Sequence, residues 1–311
     1  MNLSTQSPAV VCFGEILWDV LPHTSLPGGA PMNVAYHLKK LGVAPALISR
    51  IGADERGKGL LTLLEESGIP ISLVQTDAVH ETGWVQATQK AHNEMAYDIV
   101  QPVAWDFIQW QQDFSQVLAD ARYFVFGSLA ARNQVSRSTL FQLLETAPQK
   151  VLDINLRPPH FDKARIESLL AYTDVLKMNE GELELVSGWY GHQESYEAMA
   201  RSLQDRFAIA TIVVTLGANG ALVLQRGQLY RQPGISVQVA DTIGSGDAFL
   251  AGFLAQQLSG AGIQESLSFA CSLGALIATY TGACPPYDPS AIKKMGDGAP
   301  DQSFTSTTVY H

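Results

Sequence analysis

Apolar runs of strand length alternate with helix-length segments along most of the chain, and this alternation limits the folds open to it. The run at 9–17 is nearly continuous, as expected for a strand covered on both faces of a sheet. Further strand-like runs lie at 121–129, 150–156, 173–178 and 209–217, with helical spacing between them. This order is typical of βαβ units. The sequence therefore predicts an α/β fold with a doubly wound, mostly parallel sheet flanked by helices.

The amino-acid composition of the chain indicates which class of partner it can bind. The chain has 311 residues, of which 46% are hydrophobic, enough for a substantial core. Its net charge of −10 argues against a nucleic-acid partner, because phosphate backbones are bound by basic surfaces. No apolar run reaches the roughly 18 residues that a membrane span needs, and the polar start lacks a secretory pattern. We expect a cytoplasmic protein that acts on a small molecule.

The histidines and cysteines indicate neither a metal cluster nor thiol chemistry. The seven histidines form no HxxxH or HExxH group, so a structural zinc is disfavoured. The cysteines are widely spaced and odd in number, which predicts buried thiols at Cys12, Cys271 and Cys284. Carboxylates and glycines must therefore carry the function.

The stretch 241–253 predicts a turn that opens a buried helix. Gly244 and Gly246 would let an anion approach the free N–H groups of the first helical turn, where phosphate is the expected guest. Asp247 would repel such an anion, but it makes sense as a base that takes a proton from an attacking hydroxyl. The alternative is that Asp241 and Asp247 only cap the helix and the glycines only form a turn.

A second polar group is expected around the helix predicted for 31–41. Asn33 lies in its first turn beside Gly28 and Gly29, and Asp19 ends the first apolar run. Amide and carboxylate groups in this arrangement could bind several hydroxyls of a sugar. The alternative is that Asp19 and Asn33 are turn and capping residues.

Polar residues also follow two of the predicted strands, where open α/β sheets bind ligands. Alternation along 150–157 places Asp153, Asn155 and Arg157 on one side, and Arg157 could grip a phosphoryl or sugar oxygen. Asn179 and Glu182 follow the strand at 173–178, although such a segment is also typical of a helix start.

The segment 82–101 alternates loosely, which predicts a hairpin with one wet face and a turn at 92–94. We interpret it as part of a lid that excludes water, the alternative being an edge hairpin with no gating role. The segment 52–59 nearly matches a P-loop, but Gly59 stands where Ser or Thr must bind Mg²⁺. A P-loop NTPase is therefore disfavoured, and this segment is expected to shape the fold.

Taken together, these segments resemble the ribokinase-like (PfkB) carbohydrate kinases and, within them, the fructokinase subgroup. The resemblance covers about residues 10–290 in family order. It is carried by GEILWD, GGAPMN, IGADERGKGL, DINLRPP, NEGE and the DTIGSGD segment at 241–247. It implies a three-layer ribokinase-like fold with a small β-sheet lid, and ATP-dependent phosphorylation of a sugar's primary hydroxyl, most simply fructose.

The resemblance also implies roles for individual residues. Asp247 would be the base, and the amides of Gly244, Ser245, Gly246 and Asp247, with Arg157, would hold the transferred group. Glu182 would position Mg²⁺ through water, and Asp241 is the candidate for a monovalent cation such as K⁺. The sugar site would comprise Asp19, Gly28, Gly29, Asn33, Tyr97, Asn155 and Asp247, and the ATP site Asn179, Thr215, Gly217, Gly220, Gly244 and Gly246.

Several alternatives remain open at this stage. The sugar could be 2-keto-3-deoxygluconate, ribose or a nucleoside, and the chain could be a sugar- or nucleotide-binding regulator without catalysis. A dinucleotide-dependent oxidoreductase is disfavoured because no GxGxxG follows the first strand. We expect one kinase domain at 1–295, with lid strands within 15–32 and 82–101, a polar tail at 296–311, and a homodimer paired through the lid.

Overall fold

A computed structural model of the chain describes residues 7–21, 24–89 and 95–297. Its strands form a nine-stranded sheet and a separate four-stranded sheet. The strands are β1 Val10–Phe13, β2 Leu17–Leu21, β3 Thr24–Gly28, β4 Pro45–Gly52, β5 Val74–Asp77, β6 Gly83–Gln89, β7 Met95–Ile99, β8 Tyr123–Gly127, β9 Gln149–Asp153, β10 Val175–Asn179, β11 Thr211–Thr215, β12 Ala221–Gln225 and β13 Gln228–Gln232.

The large sheet has the order β13-β12-β11-β10-β9-β8-β1-β4-β5. The strands from β5 to β11 in this order pair in parallel, whereas β12 pairs antiparallel with β11 and β13 antiparallel with β12. The chain passes from β1 to β4 on one side and later returns to β8 on the other, so the strand order reverses around β1. Ligands bind at such a reversal, outside the carboxyl ends of the strands. The predicted doubly wound sheet is confirmed.

Helices cover both faces of this sheet and complete three layers. Side chains alternate along each strand, so Val11 and Phe13 enter one apolar cluster while Val10 and Cys12 enter the other. The first cluster is covered by α3 Gln112–Asp120, α4 Gln134–Leu144, α5 Lys163–Leu170, α6 Glu180–Gly188 and α7 Tyr196–Phe207. The second is covered by α1 Ala30–Lys40, α2 Glu55–Glu66, α8 Ser245–Leu258, α9 Ile263–Ala278 and α10 Ser290–Asp297.

The apolar run at 9–17 is two strands, and the expectation of one was wrong. Strand β1 ends at Phe13, and β2 begins at Leu17 in the small sheet. Gly14 permits the change of direction with φ of +141°. Residues 10–17 are all buried, from β1 through the first residue of β2, so a hydrophobicity profile does not separate the two strands.

The run at 150–156 is also shorter than expected. Strand β9 ends at Asp153, and Asn155 has φ of +38°, in the left-handed region. Asparagine tolerates this conformation because its short side chain can bond locally. The strand alternation predicted for Asp153, Asn155 and Arg157 therefore does not extend past Asp153.

The small sheet has the order β3-β2-β6-β7 and contains the two predicted lid segments. The turn expected at 92–94 lies outside the described residues, as do the side chains of 87–97 and the tail residues 298–311. In the described part of the chain, no helix has both the length and the apolar character to cross a membrane.

The segment that resembles a P-loop is a helix cap. Asp54 accepts hydrogen bonds from the backbone N–H of Gly57 at 2.8 Å and of Thr82 at 2.8 Å. Its carboxylate thus occupies the position that a phosphate would need. Lys58 is exposed and donates to Glu55 on the same helix.

Candidate active site

The first turn of α8 lies at the carboxyl edge of the large sheet. Gly244 is the residue before the helix and has φ of +77°, which a side chain would strain. A Cβ on Gly244 would also lie 2.5 Å from the Cα of Ala283. The helix is buried from Asp247 to Leu254, and its N-terminal N–H groups lie in the half-buried turn at 244–246.

Asp247 sits in this first turn, 9% exposed, and is bound to helix α1. The Nδ2 of Asn33 donates a hydrogen bond of 2.7 Å to Oδ2 of Asp247. Asn33 is held there because α1 starts at Ala30, directly after Gly29, and buries its first turn. The structure thus brings together two residues that the sequence assigned to different motifs.

Burial is the main cause of a raised pKa at Asp247, to about 6. The carboxylate of Asp153 raises this pKa further. The charges of Lys177 and Arg157 lower it, as does the hydrogen bond from Asn33. A carboxyl group with such a pKa is ionised near neutral pH and still binds protons more strongly than an exposed aspartate, which suits a general base.

The thiol of Cys284 completes a short chain of hydrogen bonds. Its Sγ donates to Oδ1 of Asn33 at 3.3 Å, so the Asn33 amide is bound at both ends. The loop that carries Cys284 is tied to α1, because Tyr36 donates to the Pro285 carbonyl at 2.8 Å and His37 Nε2 lies 2.9 Å from the Ala283 carbonyl. The sequence predicted buried thiols at all three cysteines, but Cys284 is only half-buried, and this contact was missed.

A buried ion pair lies behind the turn and was also missed. Lys177 on β10 donates to Asp153 on β9, with Nζ 2.8 Å from Oδ2 and 3.0 Å from Oδ1. The available signal was a lysine within the otherwise apolar strand segment VLKM. A charged residue in a strand buried on both faces requires a partner.

Glu15 is a third residue that the sequence did not single out. It follows β1, is 2% exposed, and its Oε2 has no hydrogen-bond partner among the described residues. Burial raises the pKa of Glu15 to about 7, and the nearby charge of Asp247 raises it as well. Its signal was a glutamate inside the apolar run at 9–17.

Asp19 lies across the site on β2, at the base of the small sheet. A Cβ on Gly28 would be 2.5 Å from Oδ2 of Asp19, so glycine makes room for this carboxylate. Burial raises the pKa of Asp19 to about 6, while the charge of Arg157 lowers it. Gly29, with φ of +112°, lets α1 start against the backbone carbonyl of Glu15.

Arg157 is exposed and its positive charge acts on Asp19, Glu15 and Asp247. Its charge is therefore close enough to act on both the Asp19 and the Asp247 regions, as expected for a side chain that binds an anion. Asn155 is half-buried in the loop that leads to it. Tyr97 lies on β7 opposite Ala87, and its side chain is outside the described part.

Asn179 and Glu182 form a capping box at the start of α6. Asn179 Oδ1 accepts from the Glu182 N–H at 2.9 Å, and Glu182 Oε2 accepts from the Asn179 N–H at 2.9 Å. Oε1 of Glu182 accepts from Leu156 N–H at 2.8 Å. The helix-start alternative is thus part of the local structure, and Asn179 itself is exposed.

The remaining predicted nucleotide residues follow β11. Thr215 pairs with Asn179 in the sheet register, so the two strands end side by side. Gly217 has φ of +54° and starts a short 3₁₀ turn, Gly217–Asn219. Gly220 has φ of +91°, and a Cβ there would overlap the Gln232 carbonyl. These glycines shape an open ledge beside Asn179.

Asp241 joins the turn before α8 to the loop after α9. Its Oδ1 accepts from the Ile243 N–H at 3.0 Å and its Oδ2 from the Gly282 N–H at 3.1 Å. Ser245 Oγ donates to the Thr242 carbonyl at 2.8 Å and closes the turn. Across the described residues, no group of three or more His, Cys, Asp or Glu side chains is arranged to hold a metal ion.

Comparisons with known proteins show the family to which the chain belongs. The model of the pfkB family of carbohydrate kinases matches residues 12–290. A fructokinase of Klebsiella pneumoniae is 31% identical over 292 residues, 87% of this chain and 93% of its own.

Two solved structures share the fold. Fructokinase of Vibrio cholerae with fructose, ADP and calcium superposes with a TM-score of 0.78 at 29% identity, covering 93% of this chain and 99% of its own. Fructokinase of Xylella fastidiosa with bound ATP has a TM-score of 0.82 at 23% identity, covering 93% and 98%, a likeness of fold alone.

Proposed function

The chain belongs to the pfkB family of carbohydrate kinases and is a sugar phosphotransferase; we propose that it transfers the terminal phosphoryl group of ATP to a primary hydroxyl of fructose. Fructose is the choice that its relatives support, since the proteins with 29% and 31% identity are fructokinases. ATP as donor is supported by the ADP bound to the Vibrio cholerae enzyme.

The observation that carries the proposal is the position of Asp247. A buried carboxylate with a raised pKa stands in the first turn of α8. There the Ser245 N–H donates to the Thr242 carbonyl at 3.3 Å, and the N–H groups of Gly244, Gly246 and Asp247, which have no backbone partner among the described residues, can bind an anion. A plain phosphate site would not contain a carboxylate, because the two would repel each other. A base beside an anion site is what transfer of a phosphoryl group to a hydroxyl requires.

In this proposal the sugar lies between the small sheet and α1. Asp19 and Asn33 bind its hydroxyls, with Asn155 and Tyr97 as further candidates, while Gly28 makes room for the Asp19 carboxylate and Gly29 for the start of α1 beside Glu15. Asp247 accepts the proton of the primary hydroxyl as the oxygen attacks. The small sheet acts as a lid that excludes water, which would otherwise compete as the acceptor.

The phosphoryl group lies between Arg157 and the amides of Gly244, Ser245, Gly246 and Asp247. These donors are held in place before the reaction, so stabilising the developing charge needs little reorganisation. Asn179 and the ledge of Thr215, Gly217 and Gly220 bind the nucleotide. Positioning and charge stabilisation supply most of the rate in such transfers.

Mg²⁺ is the cation that we propose for the ATP phosphates. Each oxygen of Glu182 already accepts one backbone N–H, so a lone pair on each is left for a water bound to the metal. Magnesium retains most of its water, so this oxygen donor set fits contact through water. A monovalent cation such as K⁺ is proposed beside Asp241, and a homodimer through the small sheet.

The proposal is tested by ADP release from Mg·ATP with fructose, ribose, 2-keto-3-deoxygluconate, glucose and adenosine. Strong turnover with fructose alone is the expected result. Turnover with another member would keep the kinase and replace the sugar. Binding of fructose and ATP without turnover on any sugar would identify a regulator that has lost catalysis and would contradict the proposal.

A further inference from the structure

The first turn of α8 must bind an anion directly beside the carboxylate of Asp247, and these two negative charges oppose each other. A carboxylate and a phosphoryl group a few ångströms apart repel by several kcal/mol in a partly buried site. Free helix N–H groups carry only a partial positive charge. A site of this kind needs a further cation that lies close to the turn without blocking it.

The Lys177–Asp153 pair has the required position. The two residues face each other in the register of β10 and β9, one strand apart at the carboxyl half of the sheet. They are 7% and 3% exposed. An ion pair so buried is weak evidence for stability, since apolar residues often replace such pairs without loss. Its presence therefore calls for another explanation.

The ammonium lies against the backbone of the turn itself. A Cβ added to Gly246 would be 3.0 Å from Nζ of Lys177, so the lysine occupies the space next to that residue. Two of the ammonium's donors serve the oxygens of Asp153. An ammonium has three donors, so one remains after both oxygens are served.

We propose that the Lys177–Asp153 pair is a positioning device for phosphoryl transfer, in which Asp153 holds the Lys177 ammonium against Gly246 so that the α8 turn can carry Asp247 and an anion together. Lys177 acts through the turn and through Asp247. The inference rests on the proposed function of Asp247 as the base.

Six groups from different parts of the chain act on Asp247 or lie near it. Glu15, which is buried after β1, and the half-buried Cys284, which follows α9, both lie near this carboxylate. Asp153 on β9 raises the pKa of Asp247, whereas Lys177 on β10 and Arg157 lower it. Asn33 on α1 contributes a neutral hydrogen bond in the same lowering direction. The two members of the ion pair thus act on Asp247 with opposite signs.

This opposition gives the test. The acid limb of the pH profile of kcat/KM reports proton binding by the essential base of the free enzyme. Lys177→Met removes the cation, so the limb should move to higher pH by about one unit, the usual scale for a nearby charge. Asp153→Asn removes the anion and should move the limb to lower pH. A purely structural pair would lower activity in both variants without separating their limbs.

The matched control is Arg50→Met. Arg50 pairs with Asp77 at 2.9 Å in strands β4 and β5, and β4 is four strands from β10 in the sheet. This variant also breaks a partly buried ion pair, and its acid limb should coincide with that of the unchanged enzyme. Limbs that coincide for Lys177→Met and Asp153→Asn as well would overturn the inference.

Two further measurements keep the outcome decisive. The double variant Lys177→Met with Asp153→Asn leaves no unpaired charge, so it should fold if either single variant does not. Its affinity for a non-hydrolysable Mg·ATP analogue, which keeps the terminal phosphoryl group, should fall several-fold because the ammonium is lost from the turn, and unchanged affinity would overturn the inference. Asp247→Asn tests the base separately: activity retained in that variant would reject the proposed function, whatever the limbs do.

Discussion

The side-chain amide of Asn33 donates a 2.7 Å hydrogen bond to the carboxylate of Asp247 across 214 positions of the sequence. This bond joins α1, whose first turn faces the proposed sugar site, to α8, whose first turn faces the proposed phosphoryl site. It also lowers the proton affinity of Asp247, against the effect of burial. In the proposed mechanism, the Asn33 amide therefore couples the position of the sugar to the protonation state of Asp247.

Removing this amide should impair both functions. Asn33→Leu has similar size but no donor, so the pKa of Asp247 should rise from about 6 and the acid limb of kcat/KM should move up. Loss of a hydrogen bond to a charged group costs about 1.5–3 kcal/mol, which predicts a fall in kcat/KM of roughly ten- to a hundredfold. A pH-rate profile measured on both enzymes checks this, and superimposable profiles would contradict it.

The two glycines of the turn should differ when replaced by alanine. Gly244→Ala strains a residue at φ of +77° and meets the backbone of Ala283, so stability should fall by roughly 1–3 kcal/mol. Gly246→Ala meets only the flexible end of Lys177, so the fold should tolerate it. Turnover should drop in both variants.

Urea unfolding and kcat, measured side by side, separate these effects. A Gly246→Ala variant with normal turnover would show that the space beside this residue is not needed for the reaction.

The hydrogen bond from Cys284 to Asn33 predicts a difference between two small substitutions. Burial raises the pKa of the Cys284 thiol, as does the charge of Asp247, so the thiol remains a donor near neutral pH. Cys284→Ser keeps a donor at this position, whereas Cys284→Ala leaves the Asn33 oxygen unbound. We expect the KM for the sugar to rise several-fold in the alanine variant alone. Equal KM values in both variants would argue against this contact.

Glu15 predicts how stability depends on pH. Its pKa rises from 4.5 to about 7 on folding, so between these values the folded chain binds more protons than the unfolded chain. Stability from this group is present below pH about 4.5 and is lost as the pH rises towards 7. With about 1.4 kcal/mol per pKa unit, the loss is on the order of 3 kcal/mol.

The variant Glu15→Gln lacks this titration. Relative to the unchanged protein, it should therefore gain stability between pH 5 and pH 8, as measured by urea unfolding at both values. If the free energy of unfolding depends on pH in the same way in both proteins, Glu15 is ionised in the folded protein and burial does not raise its pKa.

The sequence was sufficient for the layers of the fold and for the Asp247 turn. The spacing of apolar residues indicates which faces of the helices and strands are buried, so the doubly wound sheet could be predicted from the sequence. The glycines at 244 and 246 were identifiable because few other residues suit a tight turn that approaches an anion. The roles of these residues stay predictions until they are measured.

Features that depend on contacts between distant segments could not be predicted. The chain leaves the large sheet at Gly14, but its residues stay buried up to Leu17, the first residue of the next strand in the small sheet. The apolar pattern therefore does not mark the change of sheet. The Lys177–Asp153 pair joins neighbouring strands whose register no sequence pattern fixes. The orphan oxygen of Glu15 and the thiol contact of Cys284 likewise exist only after folding.

The most direct measurement is fructose phosphorylation from Mg·ATP by the unchanged enzyme and by Asp247→Asn, with fructose affinity measured for both. The side chains are nearly equal in size, so the fold and the sugar site should persist while the base is lost. Turnover should fall by roughly 10²- to 10⁴-fold with fructose affinity nearly intact. Near-normal turnover in the variant would contradict the assignment of Asp247 as the base.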